Sequence, residues 1–300
     1  MNHTARNAAL EALLHVTENE GYSNIVLDKT LREYQLDKRD SALASHIFYG
    51  VLEKKITLDF YIKSLLKHPN FALNPVVLEI LRIAAYQFLF LDKIPESAIV
   101  NEAVNCAKEC KKDSFAGLIN GILRELIRQK DFIILPEPDG IYGLSIKFSI
   151  PEELISLWIT SYGKETAIKI LESFSEKSRS YVRINNLKTT VSEFSATVGA
   201  VPIPSLDFAC EIVEGGNLTL FPEFADGLFH VQDLSSQYLC ELIDPQENEI
   251  LIDTCAAPGG KTFTLAEHMN GTGVVYSYDI YKGRVKLIRS GAYRLGLKNV

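Results

Sequence analysis

Residues 253–262 read Asp-Thr-Cys-Ala-Ala-Pro-Gly-Gly-Lys-Thr. A Gly-Lys-Thr ending belongs to loops that cradle triphosphates, but such a loop also needs a glycine five positions before its second one. That position is Cys255, and Pro258 takes away a backbone N–H that a phosphate loop would use. A nucleoside cradle suits the residues better. Small side chains at Ala256, Ala257, Gly259 and Gly260 let a ligand come close to the backbone. A helix starting near Gly260 would turn its free N–H groups and positive end toward the same space, with Lys261 beside it for an anionic group. About twenty residues further on, the next strand ends at Asp279, where an acid can hydrogen-bond both hydroxyls of a ribose. The alternative for Asp279 is an acid that caps a turn. The Gly-x-Gly-x-x-Gly spacing of dinucleotide folds is missing, so loop and acid together favour S-adenosyl-L-methionine.

These residues must be held by strands and helices. From about residue 226 the pattern runs helix (DLSSQYLCELI, with Asp233 or Ser235 at its cap), strand (EILIDTC), helix (GGKTFTLAEHM), strand (GVVYSYD) and helix (GRVKLIRSGAYRLGL), with KNV starting a third strand. That is the first half of a doubly wound sheet, which usually has about six strands. Two strands cannot close a core, so a domain cut short is expected. Residues 1–130 read as helices throughout: Leu10, Leu13 and Leu14 form one stripe, Leu43, Ile47, Gly50 and Val51 another. In a third helix, Asn74 is an N-cap, Pro75 the first helical position, and Val77, Leu81, Ala84, Ala85 and Phe88 one face. Residues 131–145, with two prolines and two glycines, predict a linker. Beyond it come two short helices split at Gly163, a strand alternating through Tyr181, Arg183 and Asn185, a helix over VSEFSATVGA, and strand edges at CEIVEGG and LTLF. The expected organisation is an all-α domain (1–130), a linker with a small α+β module (131–225), and the first part of a Rossmann-like α/β domain (226–300).

Bulk properties narrow the setting. The chain has 300 residues, 47% of them apolar, and a net charge of −7, which fits a folded globular protein and does not announce a nucleic-acid binder. Charge is unevenly spread: Lys282, Arg284, Lys286, Arg289, Arg294 and Lys298 occur with no acid from Ile280 to Val300. Such a run is either a local basic face for phosphate or a solvated helix surface. Five cysteines without regular spacing are not a disulfide framework, and neither Cys106 nor Cys110 has the partners of a metal site. The start lacks a signal pattern, and the longest apolar run, about residues 83–91, is far shorter than a membrane span. A cytoplasmic protein without membrane or metal is expected.

Taken together, the quoted segments resemble the bacterial 16S rRNA cytosine-C5 methyltransferases of the small-subunit methyltransferase B family. VLEILRIAAYQFLFLDKIPESAIVNEAV and FAGLINGILREL look like that family's NusB-like N-terminal domain. YVRINNLKTT looks like a segment before its catalytic domain that contributes to RNA binding. FHVQDLSSQ and DTCAAPGGKT look like the entry to its methyltransferase domain. The resemblance implies that Cys255, Ala256, Ala257, Pro258, Gly259, Gly260 and Lys261 form the S-adenosyl-L-methionine loop and that Asp279 holds the ribose. Arg284 would orient Asp279 or stand as an exposed helix arginine. Arg183 and Lys188 are candidate RNA phosphate contacts or plain surface residues. The implied partner is 16S rRNA, and the chain is expected to act as a monomer.

Cytosine C5 is a poor nucleophile, and the family's answer is covalent: a cysteine thiolate adds to C6 and makes C5 enamine-like. Those cysteines lie in DAPCSG-like and TCS-like segments, and neither segment occurs here. Cys106, Cys110, Cys210, Cys240 and Cys255 do not fit the role, so the expectation is an N-terminal part of the enzyme, inactive alone, with its catalytic residues beyond Val300. The competing reading is a non-catalytic NusB-like RNA-binding adaptor.

Overall fold

The computed structural model of the protein describes residues 4–19, 22–66, 68, 71–92, 94–129, 131–174, 179–213 and 217–300. The chain divides into two compact units, Met1–Glu176 and Lys177–Val300.

The first unit is all helical: α1 (Ala5–Asn19), α2 (Ser23–Tyr34), α3 (Lys38–Glu53), α4 (Lys55–Ser64), α5 (Pro75–Phe90), α6 (Glu96–Glu109), α7 (Ala116–Gln129), α8 (Ile141–Phe148), α9 (Glu152–Tyr162) and α10 (Lys164–Ser173). Local chemistry sets the starts. Asp37 accepts the Asp40 N–H at 2.7 Å to cap α3, and Asn74 accepts the Val76 N–H at 3.1 Å ahead of Pro75 to cap α5. α5 lies in the centre. Val77, Ile80, Leu81, Ala84 and Ala85 are buried there with Leu10, Leu13, Ile47, Phe48, Leu58, Ile99 and Leu123 from the surrounding helices. The division at Glu176 leaves residue 130 inside the first unit. α8 begins inside the predicted linker and packs on α4, where Thr57 donates to the Ile146 carbonyl at 2.6 Å and the Ile56 N–H donates to Ser149 Oγ at 3.0 Å. Glycine and proline content signals a turn; it does not report that Leu144 and Phe148, just past the turn, bury their side chains.

The second unit holds β1 (Ser180–Ile184), α11 (Val191–Val198), β2 (Val201–Pro202), β3 (Ala209–Ile212), α12 (Pro222–Ala225), β4 (Phe229–Val231), α13 (Leu234–Ile243), β5 (Ile250–Asp253), α14 (Gly260–His268), β6 (Val274–Ser277) and α15 (Lys282–Leu295). Four strands form an antiparallel sheet in the order β2-β3-β1-β4. The LTLF segment is a 3-10 turn, Leu218–Leu220, rather than a strand edge; the end of CEIVEGG, residues 214–216, lies outside the described residues. Residue 225 likewise lies inside the second unit. Phe229–Val231, taken as the entry to the last domain, pairs with β1 across Val182↔Val231 and Ile184↔Phe229.

β5 and β6 are parallel, with Ile250 opposite Val274 and Asp253 opposite Ser277. The crossover runs through α14, and α15 returns the chain so that the Val275 N–H donates to the Asn299 carbonyl at 2.7 Å. One face of this pair packs its Leu251 and Val275 against Phe263, Ala266, Ile288 and Leu295. The other is apolar and open, with Ile250 70%, Ile252 67% and Tyr276 50% exposed. Among the described residues no helix is long and apolar enough to cross a membrane.

Candidate functional site

β5 ends at Asp253, and the loop over 254–259 turns into α14. Two backbone bonds lay this loop against the end of β6: the Ala256 N–H donates to the Tyr278 carbonyl at 2.9 Å, and the Tyr278 N–H donates to the Asp253 carbonyl at 2.8 Å. Asp279 is the next residue. The structure thus brings 255–261 and Asp279 to one end of the parallel pair, beyond the carboxyl ends of its strands, where open α/β sheets bind ligands. Cys255, Pro258 and Lys261 are exposed, Ala256 and Gly259 are buried, and Ala257 and Gly260 lie between. The Ala257–Pro258 peptide is cis.

Gly259 caps α14 with φ +118° and no side-chain cap, leaving the N–H groups of the first helical turn without an intrahelical acceptor. Its lack of a side chain has a second cause that spacing does not show. A Cβ at 259 would overlap the Phe263 ring, and so would one at Gly291 on α15, so the ring is clamped between two glycines. Gly260 is less constrained; the nearest atom to a Cβ there is Gln232 Cγ at 3.7 Å. Asp253 stiffens the turn. Its Oδ1 accepts the Cys255 N–H at 3.2 Å and its Oδ2 accepts the Thr262 hydroxyl at 2.8 Å, which also lies 3.1 Å from Ser277 Oγ. Asp253 and Thr262 stand in the quoted motif, but only the fold reveals that they tie loop, helix and both strands together.

Asp279 caps a turn. Oδ1 accepts the Tyr281 N–H at 3.1 Å and so caps the turn into α15. Oδ2 lies 3.7 Å from Arg284 Nη1, so Arg284 does face the acid while its side chain stays 44% exposed.

Arg183 is a correction. It is fully buried and presents no surface to a phosphate. From β1 its Nη1 donates to Glu241 on α13 at 3.1 Å and its Nη2 donates to His268 Nε2, at the end of α14, at 2.7 Å. Its Nε sits 3.7 Å from Glu267, also fully buried, and Glu267 lies 3.8 Å from His230 Nδ1. Both carboxylate oxygens of Glu267 lack a hydrogen bond. Burial therefore pushes its carboxyl up to about 8, with Arg183 opposing. Burial, then Arg183, pushes His230 down to about 3, so it is neutral. Lys188 is exposed. Its side chain reaches solvent, but Nζ donates to the Asp226 carbonyl at 2.8 Å and the Arg294 carbonyl at 3.0 Å, closing the C-terminus of α15. Asn185 does the same from inside, through the Gly227 and Leu295 carbonyls at 3.0 and 2.9 Å. Arg183, Asn185 and Lys188 together bolt the antiparallel sheet to α13, α14 and α15.

A pH effect follows. A carboxyl whose folded pKa is raised stabilises the fold fully below the ordinary carboxylate range and loses that contribution as pH climbs toward about 8. In Glu267→Gln, the fall in unfolding free energy between pH 5 and pH 8 is expected to flatten in urea titrations of the protein. An unchanged slope would place the titration elsewhere.

The thiols sort in the same way. Burial pushes Cys106 up to about 12 and Cys240 up to about 11, and it raises Cys110 and Cys210; buried thiols of this kind are poor nucleophiles. Cys255 is exposed in the loop. Among the described residues, no group of three or more His, Cys, Asp or Glu side chains could hold a metal ion.

Known proteins match both units. Residues 3–128 match the NusB family, and residues 240–300 match the 16S rRNA methyltransferase RsmB/F family. The chain therefore joins a NusB domain to a methyltransferase domain of the rRNA-modifying class. Over nearly its whole length it is similar to the probable ribosomal RNA small subunit methyltransferase B of Bacillus subtilis (strain 168), 34% identical over 98% of this chain and 66% of that one. The counterpart of Synechocystis sp. (strain ATCC 27184 / PCC 6803 / Kazusa) is 29% identical over 99% and 68%. It belongs to the ribosomal RNA small subunit methyltransferase B family, and it spans about two thirds of the length of those relatives. In fold it is similar to the crystal structure of PH0851, with a TM-score of 0.77 at 24% identity over 100% of this chain and 68% of that one.

Proposed function

We propose that residues 255–261 and Asp279 hold S-adenosyl-L-methionine and that the whole protein methylates cytosine C5 in 16S rRNA. The observation that carries this is the pair of backbone bonds that sets loop 254–259 beside Tyr278 and Asp279. The residues fit the group. The uncapped first turn of α14, with Lys261 beside it, offers donors to the methionine carboxylate. The remaining lone pairs of Asp279, oriented by Arg284 and the Tyr281 N–H, accept from the ribose hydroxyls. Bound S-adenosyl-L-methionine supplies an electrophilic methyl.

The attack on the base is a thiolate's task, and the buried cysteines are unsuited to it, while Cys255 belongs to the cofactor loop. We place the attacking cysteine, the further strands of the sheet, and the helices that would cover the open face of Ile250, Ile252 and Tyr276 in polypeptide outside these 300 residues. The affinity of the chain alone for the cofactor should accordingly be low.

The test is calorimetric titration of S-adenosyl-L-methionine into the protein and into Asp279→Ala. Losing a hydrogen bond to a charged group costs about 1.5–3 kcal/mol, so Asp279→Ala should bind at least about tenfold more weakly, and Arg284→Gln a few-fold more weakly. Equal affinity in wild type and Asp279→Ala would sink the ribose assignment. RNA binding without any cofactor binding would favour the adaptor instead.

A further inference from the structure

The basic run after Ile280 was not absorbed by the cofactor site, and the fold divides it. The guanidinium of Arg284 faces Asp279. Arg294 donates through Nη1 to the Phe229 carbonyl at 3.0 Å and to the Phe224 carbonyl, stacked 3.7 Å over the Phe224 ring. Those two arginines are structural. Lys282, Lys286 and Arg289 are exposed and form no ion pair among the described residues. They sit at i, i+4 and i+7 on α15, and Tyr293, 89% exposed, sits at i+11. At about 100° per residue these four fall within roughly 60° of arc, on one stripe. Ile288, Ala292 and Leu295 occupy the opposite, buried side.

We propose that this stripe is a contact surface for the backbone of the RNA substrate. The proposal rests on the rRNA reading above and names a surface for it. Three things favour RNA. The cations have no acid to neutralise them anywhere from Ile280 to Val300, on a chain whose net charge is −7, so the local field is positive where the whole molecule's is negative. From Lys282 to Arg289 the stripe runs about 10 Å along the helix, enough for about three charges of a strand that carries one per 3.4 Å. An exposed tyrosine at the end of a cationic stripe gives a base a ring to stack on. The stripe also begins three residues after Asp279, whose carboxylate caps the start of this same helix, so a strand held here lies next to the proposed methyl-donor site.

The test measures binding of an unmodified 16S rRNA hairpin transcript to the 300-residue protein by fluorescence anisotropy, across a potassium chloride series. The comparison is with the triple variant Lys282→Gln/Lys286→Gln/Arg289→Gln and with Tyr293→Ala. The triple variant should bind about tenfold or more weakly, and its slope of log affinity against log salt should be shallower by about 2–3, at roughly 0.7–0.9 per lost phosphate contact. Tyr293→Ala should weaken binding about tenfold with the slope unchanged. Both variants should unfold at the wild-type midpoint, because the substituted side chains are exposed. Wild-type binding that the triple variant reproduces in affinity and slope would overturn the stripe and leave the RNA reading standing. Absence of RNA binding by the wild-type chain would overturn both. Binding of poly-glutamate as tight as that of the RNA, lost in the triple variant, would overturn the assignment in favour of an acidic protein partner.

Discussion

Arg183→Met is expected to lower the stability of the Lys177–Val300 unit by about 3–5 kcal/mol, the usual cost of breaking a buried charged pair from one side. The guanidinium is fully enclosed and ties β1 to α13 and α14 through Glu241, His268 and Glu267. Without it, Glu267 keeps its burial and loses its one cationic neighbour within 4 Å. The loss should grow as pH rises, because the orphaned carboxyl resists ionisation even more than in wild type, where burial already holds it at about 8. A double variant, Arg183→Met/Glu267→Leu, removes both members and should recover much of the loss, since the buried carboxyl without hydrogen-bond partners goes with the guanidinium. Urea unfolding followed by circular dichroism at pH 6 and pH 8.5 reads both effects. A phosphate ligand on the surface would behave oppositely, with stability within about 0.5 kcal/mol of wild type and RNA affinity reduced. That result would return Arg183 to the surface.

The second large effect is expected at Gly259. Its φ of +118° lies where side chains are rarely found, and a Cβ there would overlap the Phe263 ring. The backbone strain costs about 1–3 kcal/mol and the overpacking a similar amount, so Gly259→Ala should destabilise the unit by about 2–5 kcal/mol. It should also weaken S-adenosyl-L-methionine binding, because the residue that moves is the N-cap of α14. Phe263 cannot yield easily, with Gly291 closing on its other side. Gly260→Ala provides the contrast. A Cβ there finds its nearest neighbour at 3.7 Å, so its stability should stay within about 1 kcal/mol of wild type. Cofactor affinity is the more sensitive readout at 260, where only a ligand's close approach would demand glycine. Equal stability for the two alanine variants would falsify the steric account of the loop.

Much of the fold is legible in the residues. The cap at Asn74 with Pro75, the split at Gly163, and the helices of α5, α13, α14 and α15 are local signals, and each lies where its signal says. The loop and Asp279 are legible for the same reason, since a strand-loop-helix-strand run needs no distant partner to be recognised. α2 is harder: its buried side chains are Leu27, Thr30 and Tyr34, a mixed set that periodicity alone ranks poorly. The extent of the first unit is not a local signal. Pro136, Pro138 and Gly140 mark a turn, but whether the chain beyond a turn leaves a domain or folds back onto it depends on α4 receiving α8.

Arg183 shows where the line falls. Alternation in β1 places Tyr181, Arg183 and Asn185 on one side of a strand and Val182 and Ile184 on the other. With one apolar side given to the core, a polar side reads as solvent-facing. The sequence by itself determined the strand, its two faces, the loop over 254–259 with Asp279 on the following strand end, and the order of the helices, because these depend on spacing within a few residues. Only the tertiary structure decided that α13 and α14 cover the polar face of β1, that Phe263 accounts for one glycine of the loop, and that Lys282, Lys286 and Arg289 form no ion pair among the described residues while Arg284 faces Asp279 and Arg294 holds backbone carbonyls. The reason is physical: periodicity states which side chains share a face, and burial depends on what packs on that face from residues tens of positions away.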